Sequence, residues 1–127
     1  MTHRQIANAV SRVKLSLLPS LSFRDRKRLP NCAAVYVVMD GQRVVYVGST
    51  KCLLKRWRRH SLTLYGAIRN KFKICWIQLE VAETAHRFQF EMALKVVLSP
   101  AILGQCGKGW CWKMWSEIFQ KDTRHGV

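Results

Sequence analysis

Acidic side chains are scarce in this chain. Seven aspartates and glutamates stand against 22 lysines and arginines, a formal charge of +15 with a pI near 10.3. Such an imbalance favours a polyanionic partner, nucleic acid first and an anionic membrane surface second. Cysteine occurs five times, at Cys32, Cys52, Cys75, Cys106 and Cys111, but the number is odd and no two form a C-x-x-C pair. That argues against zinc and against a disulfide framework, and leaves reduced, mostly structural thiols in a cytoplasmic compartment as the expectation. No uninterrupted apolar run is long enough to span a bilayer, and no internal repeat or low-complexity segment is visible. What remains is 49% hydrophobic over 127 residues, the composition of a globular domain rather than a disordered polycation. One domain over 1–127, soluble and unexported, is expected.

The periodicity places the elements. Ile6, Val10, Val13 and Leu17 recur at helical spacing until Pro19. Residues 24–30, Arg-Asp-Arg-Lys-Arg-Leu-Pro, read as a basic connector, either a phosphate contact or a solvated charge run. Residues 33–39 and 43–48 are β-branched and aromatic runs around Asp40-Gly41, a hairpin signal, and are apolar at nearly every position, as in a sheet covered on both faces. A helix is expected from Lys51 to about Tyr65, with Leu53, Leu54, Trp57 and Leu64 packing and Lys55, Arg58 and Arg59 outside. A strand at 73–81, a helix capped by Thr84 and running to Leu98, and a Trp-rich helix near Trp110 to Phe119 follow. The order is a small α/β sandwich: a three-stranded, mostly antiparallel sheet in a ββαβα core of about 33–103, with N- and C-terminal helical extensions.

Within that core one polar set stands out: Tyr36 in Ala34-Val35-Tyr36, Tyr46 in Tyr46-Val47-Gly48-Ser49-Thr50, then Arg56 and His60 one helical turn apart. Arginine suits a bidentate grip on phosphate, although Arg56 among Lys55, Arg58 and Arg59 also fits a plain basic face. Each tyrosine alone fits a core position with a satisfied hydroxyl. If the two share a site they must lie on one face of the sheet. A strict two-residue Asp40-Gly41 loop would separate them, so a three-residue loop, Met39-Asp40-Gly41, with Gly41 left-handed, is expected. Among the acids, Glu91 alone is embedded mid-helix in an apolar run, Phe88 to Leu94, where an exposed pair with Arg87 or Lys95 is the competing reading.

In order and spacing, these positions resemble the GIY-YIG nuclease family. Ala-Val-Tyr stands for Gly-Ile-Tyr and Tyr-Val-Gly for Tyr-Ile-Gly, and the likeness spans about residues 33–103. The resemblance implies a divalent-metal-dependent endonuclease, with DNA rather than RNA as the expected substrate. Tyr36 would be the general base on water, Tyr46 would orient water or phosphate, Arg56 would stabilise the transition state and His60 would assist. Glu91 would hold Mg²⁺ or Mn²⁺. Gly48 would admit the phosphate close to the backbone, and Ser49, Lys51, Lys55, Arg58 and Arg59 would line the substrate path, with the Ser49-Thr50 turn capping the next helix. Ala34 departs from the family's first glycine, and Gln105 is a weak substitute for its usual downstream asparagine. Homing or another mobile-element role, with self-association or a separate targeting partner, would fit that family. The rival class is a non-catalytic basic nucleic-acid-binding module. A membrane-surface role is weaker, because the N-terminal helix is short and only modestly basic. Trp57, Trp110, Trp112 and Trp115 read as core rather than as base-stacking groups.

Overall fold

The computed structural model describes residues 2–59 and 72–98. Helix α1, His3–Ser11, opens with a capping box: the Thr2 hydroxyl accepts from the Gln5 amide and the Gln5 side chain accepts from the Thr2 amide. It stops earlier than the apolar spacing predicts, and Leu15–Leu17 form a single 3-10 turn instead. A short strand β1, Ser20–Ser22, follows, and the basic connector is ordered as a second 3-10 segment, Phe23–Arg28, anchored by buried Phe23.

The hairpin comes next, β2 Ala34–Asp40 and β3 Arg43–Thr50, then α2 Leu53–Arg59, β4 Phe72–Gln78, a four-residue helix α3 Val81–Thr84, and α4 Arg87–Leu98. The helix expected after Thr84 starts earlier, at a capping box between Glu80 and Glu83, and is interrupted before Arg87; Thr84 closes the first piece rather than capping the second. The sheet has four strands rather than three, in the order β1-β4-β2-β3, and every pairing is antiparallel. The three-residue strand at its edge escaped the periodicity because it is too short to alternate.

Both faces of the sheet are covered, as the apolar runs predicted. On one face Val35, Val37, Met39, Val47 and Cys75 pack under α1 and α4. On the other, Ala34, Tyr36, Val38, Val45, Phe72 and Ile74 pack against Leu53 and Trp57 of α2 and against Phe23 and Leu29. The described residues contain no helix long and apolar enough to cross a membrane.

The hairpin turn differs from the expected loop. Asp40 pairs with Arg43 around a two-residue turn, Gly41-Gln42, in which Gly41 takes a φ of 63°. Continued without interruption, that register would set Tyr36 opposite Val47 and put the tyrosines on opposite faces. Instead Val38 pairs with Tyr46 while Met39 pairs with Val44, so Val45 is an extra residue, a β-bulge inside the strand. The bulge restores the shared face: Tyr36 lies opposite Gly48, and Tyr46 opposite Val38. The tyrosines share a face as expected, but the correction is made inside the strand and not at its turn.

Candidate active site

Tyr36 is fully buried at the centre of the sheet. Its ring lies beside Tyr46, centroids 6.2 Å apart and planes 25° from parallel, and meets the edge of Trp57 at 5.5 Å and 71°. Trp57 is itself braced edge-on by Phe23 at 6.1 Å. The tyrosine therefore sits between its strand neighbour and the helix that carries Arg56. Across the strand pair, a Cβ on Gly48 would lie 2.5 Å from the Tyr36 hydroxyl oxygen and 2.6 Å from its Cζ. Any other residue at 48 would collide with the ring. The close approach that demands glycine here is to the Tyr36 ring, where the family resemblance implies a phosphate.

Arg56 joins the cluster from α2. Its Nε donates a long hydrogen bond to the Tyr36 hydroxyl at 3.4 Å, while the residue as a whole remains exposed. That bond raises the guanidinium's pKa, with burial opposing it and Tyr46 adding to it. On Tyr36 the balance is reversed. Burial pushes the phenol well above its ordinary value of 10.0; the Arg56 hydrogen bond pulls back, and the charges of Tyr46 and Glu91 push up again. At neutral pH the hydroxyl is therefore a protonated phenol held by an arginine.

The remaining residues of the set divide. Lys51, Lys55 and Arg58 are exposed on and before α2, where the spacing placed them. The Ser49 Oγ is buried with no hydrogen-bond partner among the described residues, and Ser49 pairs with Val35, on the face away from the tyrosines. The Thr50 hydroxyl accepts from the Cys52 amide at 3.1 Å, bracing the turn into α2. His60, the Arg59 side chain, Gln105 and the tryptophans at 110, 112 and 115 lie outside the described residues.

Glu91 is neither exposed nor free. It is 8% exposed, and Lys95, 2% exposed, donates to its carboxylate at 2.8 Å. The pair is one turn apart on α4, as the competing reading allowed, but buried rather than on the surface. Glu91 is close enough to Tyr36 for its charge to oppose the phenolate. A divalent cation here would have to share the carboxylate with a buried ammonium, and among the described residues no three His, Cys, Asp or Glu side chains gather as ligands. The arrangement does not fit a resident metal while Lys95 holds Glu91. The sequence signal for this was Glu91-Met92-Ala93-Leu94-Lys95 itself, an i, i+4 acid–base pair inside an apolar run.

Cys32, Cys52 and Cys75 are free thiols, and burial raises the pKa of Cys32 and Cys75, the behaviour of structural rather than reactive cysteines. No protein-family model, curated protein or solved structure matches this chain, so its likeness to the GIY-YIG nucleases rests on the residues of the tyrosine–arginine cluster.

Proposed function

We propose that this chain is an endonuclease acting on the phosphodiester backbone of DNA, with Tyr36, Tyr46 and Arg56 at its centre. The observation that carries the reading is their convergence: two tyrosines from different strands lie ring beside ring, an arginine from the following helix donates to the hydroxyl of the buried one, and a bulge and a glycine make that meeting possible. In this reading Arg56, the exposed member, forks onto a phosphate and stabilises the charge that develops on its oxygens. Tyr36 holds Arg56 and, once ionised, takes the proton of the attacking water as the phosphorus–oxygen bond to the leaving group breaks. Burial makes that ionisation costly, so phosphate or solvent reaching the hydroxyl is part of the proposal. Mg²⁺ or Mn²⁺ enters it only where Lys95 yields Glu91, and no step above requires the ion.

The second reading, a binding module without catalysis, is favoured by two specific observations: Tyr36 is fully buried and the Glu91 carboxylate is already neutralised by Lys95. Cleavage of supercoiled plasmid separates the two. The wild-type chain should nick DNA, and Tyr36→Phe and Arg56→Ala should each slow it by about three decades, roughly 4 kcal/mol of transition-state stabilisation. Because the phenol's pKa is raised, the rate should climb with pH throughout the range below 10 without a plateau, and Tyr36→Phe should flatten that profile. Wild-type protein that binds DNA without cutting it would leave the binding module as the function, and variants that cut at the wild-type rate would remove Tyr36 and Arg56 from the chemistry of cleavage.

A further inference from the structure

Behind Trp57, on the side of α2 away from Arg56, lies a second feature that the tyrosine cluster does not use. A cavity of about 510 Å³ opens between the 3-10 segment Phe23–Arg28 and α2, lined by Arg26, Lys27, Leu54, Trp57 and Arg58. Among the described residues that line it, three of five are cationic and none is acidic. The one acid in the connector is occupied elsewhere, since Asp25 accepts from the Ser22 hydroxyl at 3.0 Å. Arg26 is held in place: its guanidinium lies 4.5 Å over the Phe23 ring and its Nη1 donates to the Phe23 carbonyl at 3.4 Å. No carboxylate among the described residues pairs with Arg26, Lys27 or Arg58. Three like charges around one concavity repel each other, and an anion between them removes that cost. The rest of the described lining, Leu54 and Trp57, is apolar, which suits a group that is not anionic throughout.

We propose that this pocket seats one backbone phosphate of a nucleic-acid strand together with its attached sugar: the phosphate among Arg26, Lys27 and Arg58, the sugar against Leu54 and Trp57. The volume lies within the range of sites that take small organic groups, where a bare ion would need far less. The pocket and the tyrosine cluster flank the same indole, because Trp57 lines one and meets the Tyr36 ring of the other at 5.5 Å. A strand held here is gripped beside the cluster rather than in it. The proposal rests on the nucleic-acid partner of the preceding reading, but not on catalysis.

The test is binding of a fluorescent 12-nucleotide single-stranded DNA by anisotropy across a salt series, with no cleavage read. Lys27 and Arg58 are exposed, so Lys27→Gln/Arg58→Gln leaves the fold intact. A charge-matched control, Lys14→Gln/Arg43→Gln, removes two exposed cations that do not line the cavity. Loss of two of the three cations around that one phosphate should weaken binding tenfold or more at low salt and make the slope of log affinity against log salt shallower by about 0.7, whereas the control should change affinity less than threefold. Equal losses in both doubles would overturn the pocket while leaving the nucleic-acid partner in place. No binding by the wild type would overturn both. In a second arm, the Trp57 indole proton should shift on addition of the strand and stay in place with inorganic phosphate at the same phosphate concentration. A shift of equal size with inorganic phosphate would make the pocket a plain anion site and overturn the strand.

Discussion

Gly48 and Tyr36 constrain each other across the strand pair. Alanine at 48 would put a Cβ 2.5, 2.6 and 2.9 Å from the Tyr36 hydroxyl oxygen, Cζ and Cε2, distances that real Cβ atoms do not tolerate, and the ring, wedged against Trp57 and Tyr46, has nowhere to swing. Gly48→Ala should therefore destabilise the domain by about 2 kcal/mol through overpacking, read from urea unfolding. The effect belongs to the pair. In a Tyr36→Val background, where the ring is gone, the same alanine should cost less than about 0.5 kcal/mol, and a glycine-free strand could even gain β propensity. An unchanged penalty in that background would place the cause in the backbone of β3 instead of the ring.

Two elements packed on the central strand each break a local rule. In β3 the extra residue Val45 interrupts the alternation, and only because of that interruption does the strand deliver Tyr46 and Gly48 to the Tyr36 face. In α4 the apolar stripe is broken by Glu91 and Lys95, which neutralise one another inside the core. Removing one partner strands the other charge, so Lys95→Met should cost about 3–5 kcal/mol. It should also expose the carboxylate to a new cation: Mn²⁺ should raise the melting temperature of Lys95→Met saturably and leave the wild type and Glu91→Gln/Lys95→Met unmoved. Saturable Mn²⁺ stabilisation of the wild type that disappears in Glu91→Gln would show that the ammonium is no barrier and that Glu91 is a metal ligand as the protein stands.

At the scale of the molecule, charge dominates. A formal +15 over 127 residues leaves most lysines and arginines without an acidic partner, so their association with a duplex should be driven by counterion release. Log affinity for a DNA duplex should fall linearly with log salt, losing at least tenfold between 50 and 200 mM, by the slope expected for several phosphate contacts. A nearly flat line would mean that the positive surface is not the binding surface.

The sequence by itself determined what depends on composition and short-range pattern. The expectation of a polyanionic partner follows from a count of charges, the two-faced burial of the sheet from apolar runs in residues 33–39 and 43–48, and the outward Lys55 and Arg58 from helical spacing. The proximity of Tyr36, Tyr46 and Arg56 was legible too, but only through their order in the chain, since no spacing rule reveals a bulge at Val45. Tertiary structure decided the rest, because each remaining feature is a contact between residues distant in sequence. Whether Gly48 serves a ligand or a ring depends on which side chain lies across the strand. Whether Glu91 and Lys95 form a surface pair or a buried one depends on what covers α4, here α1 and the sheet. A basic connector became one wall of a cavity only when Phe23 packed against Trp57, 34 positions along the chain.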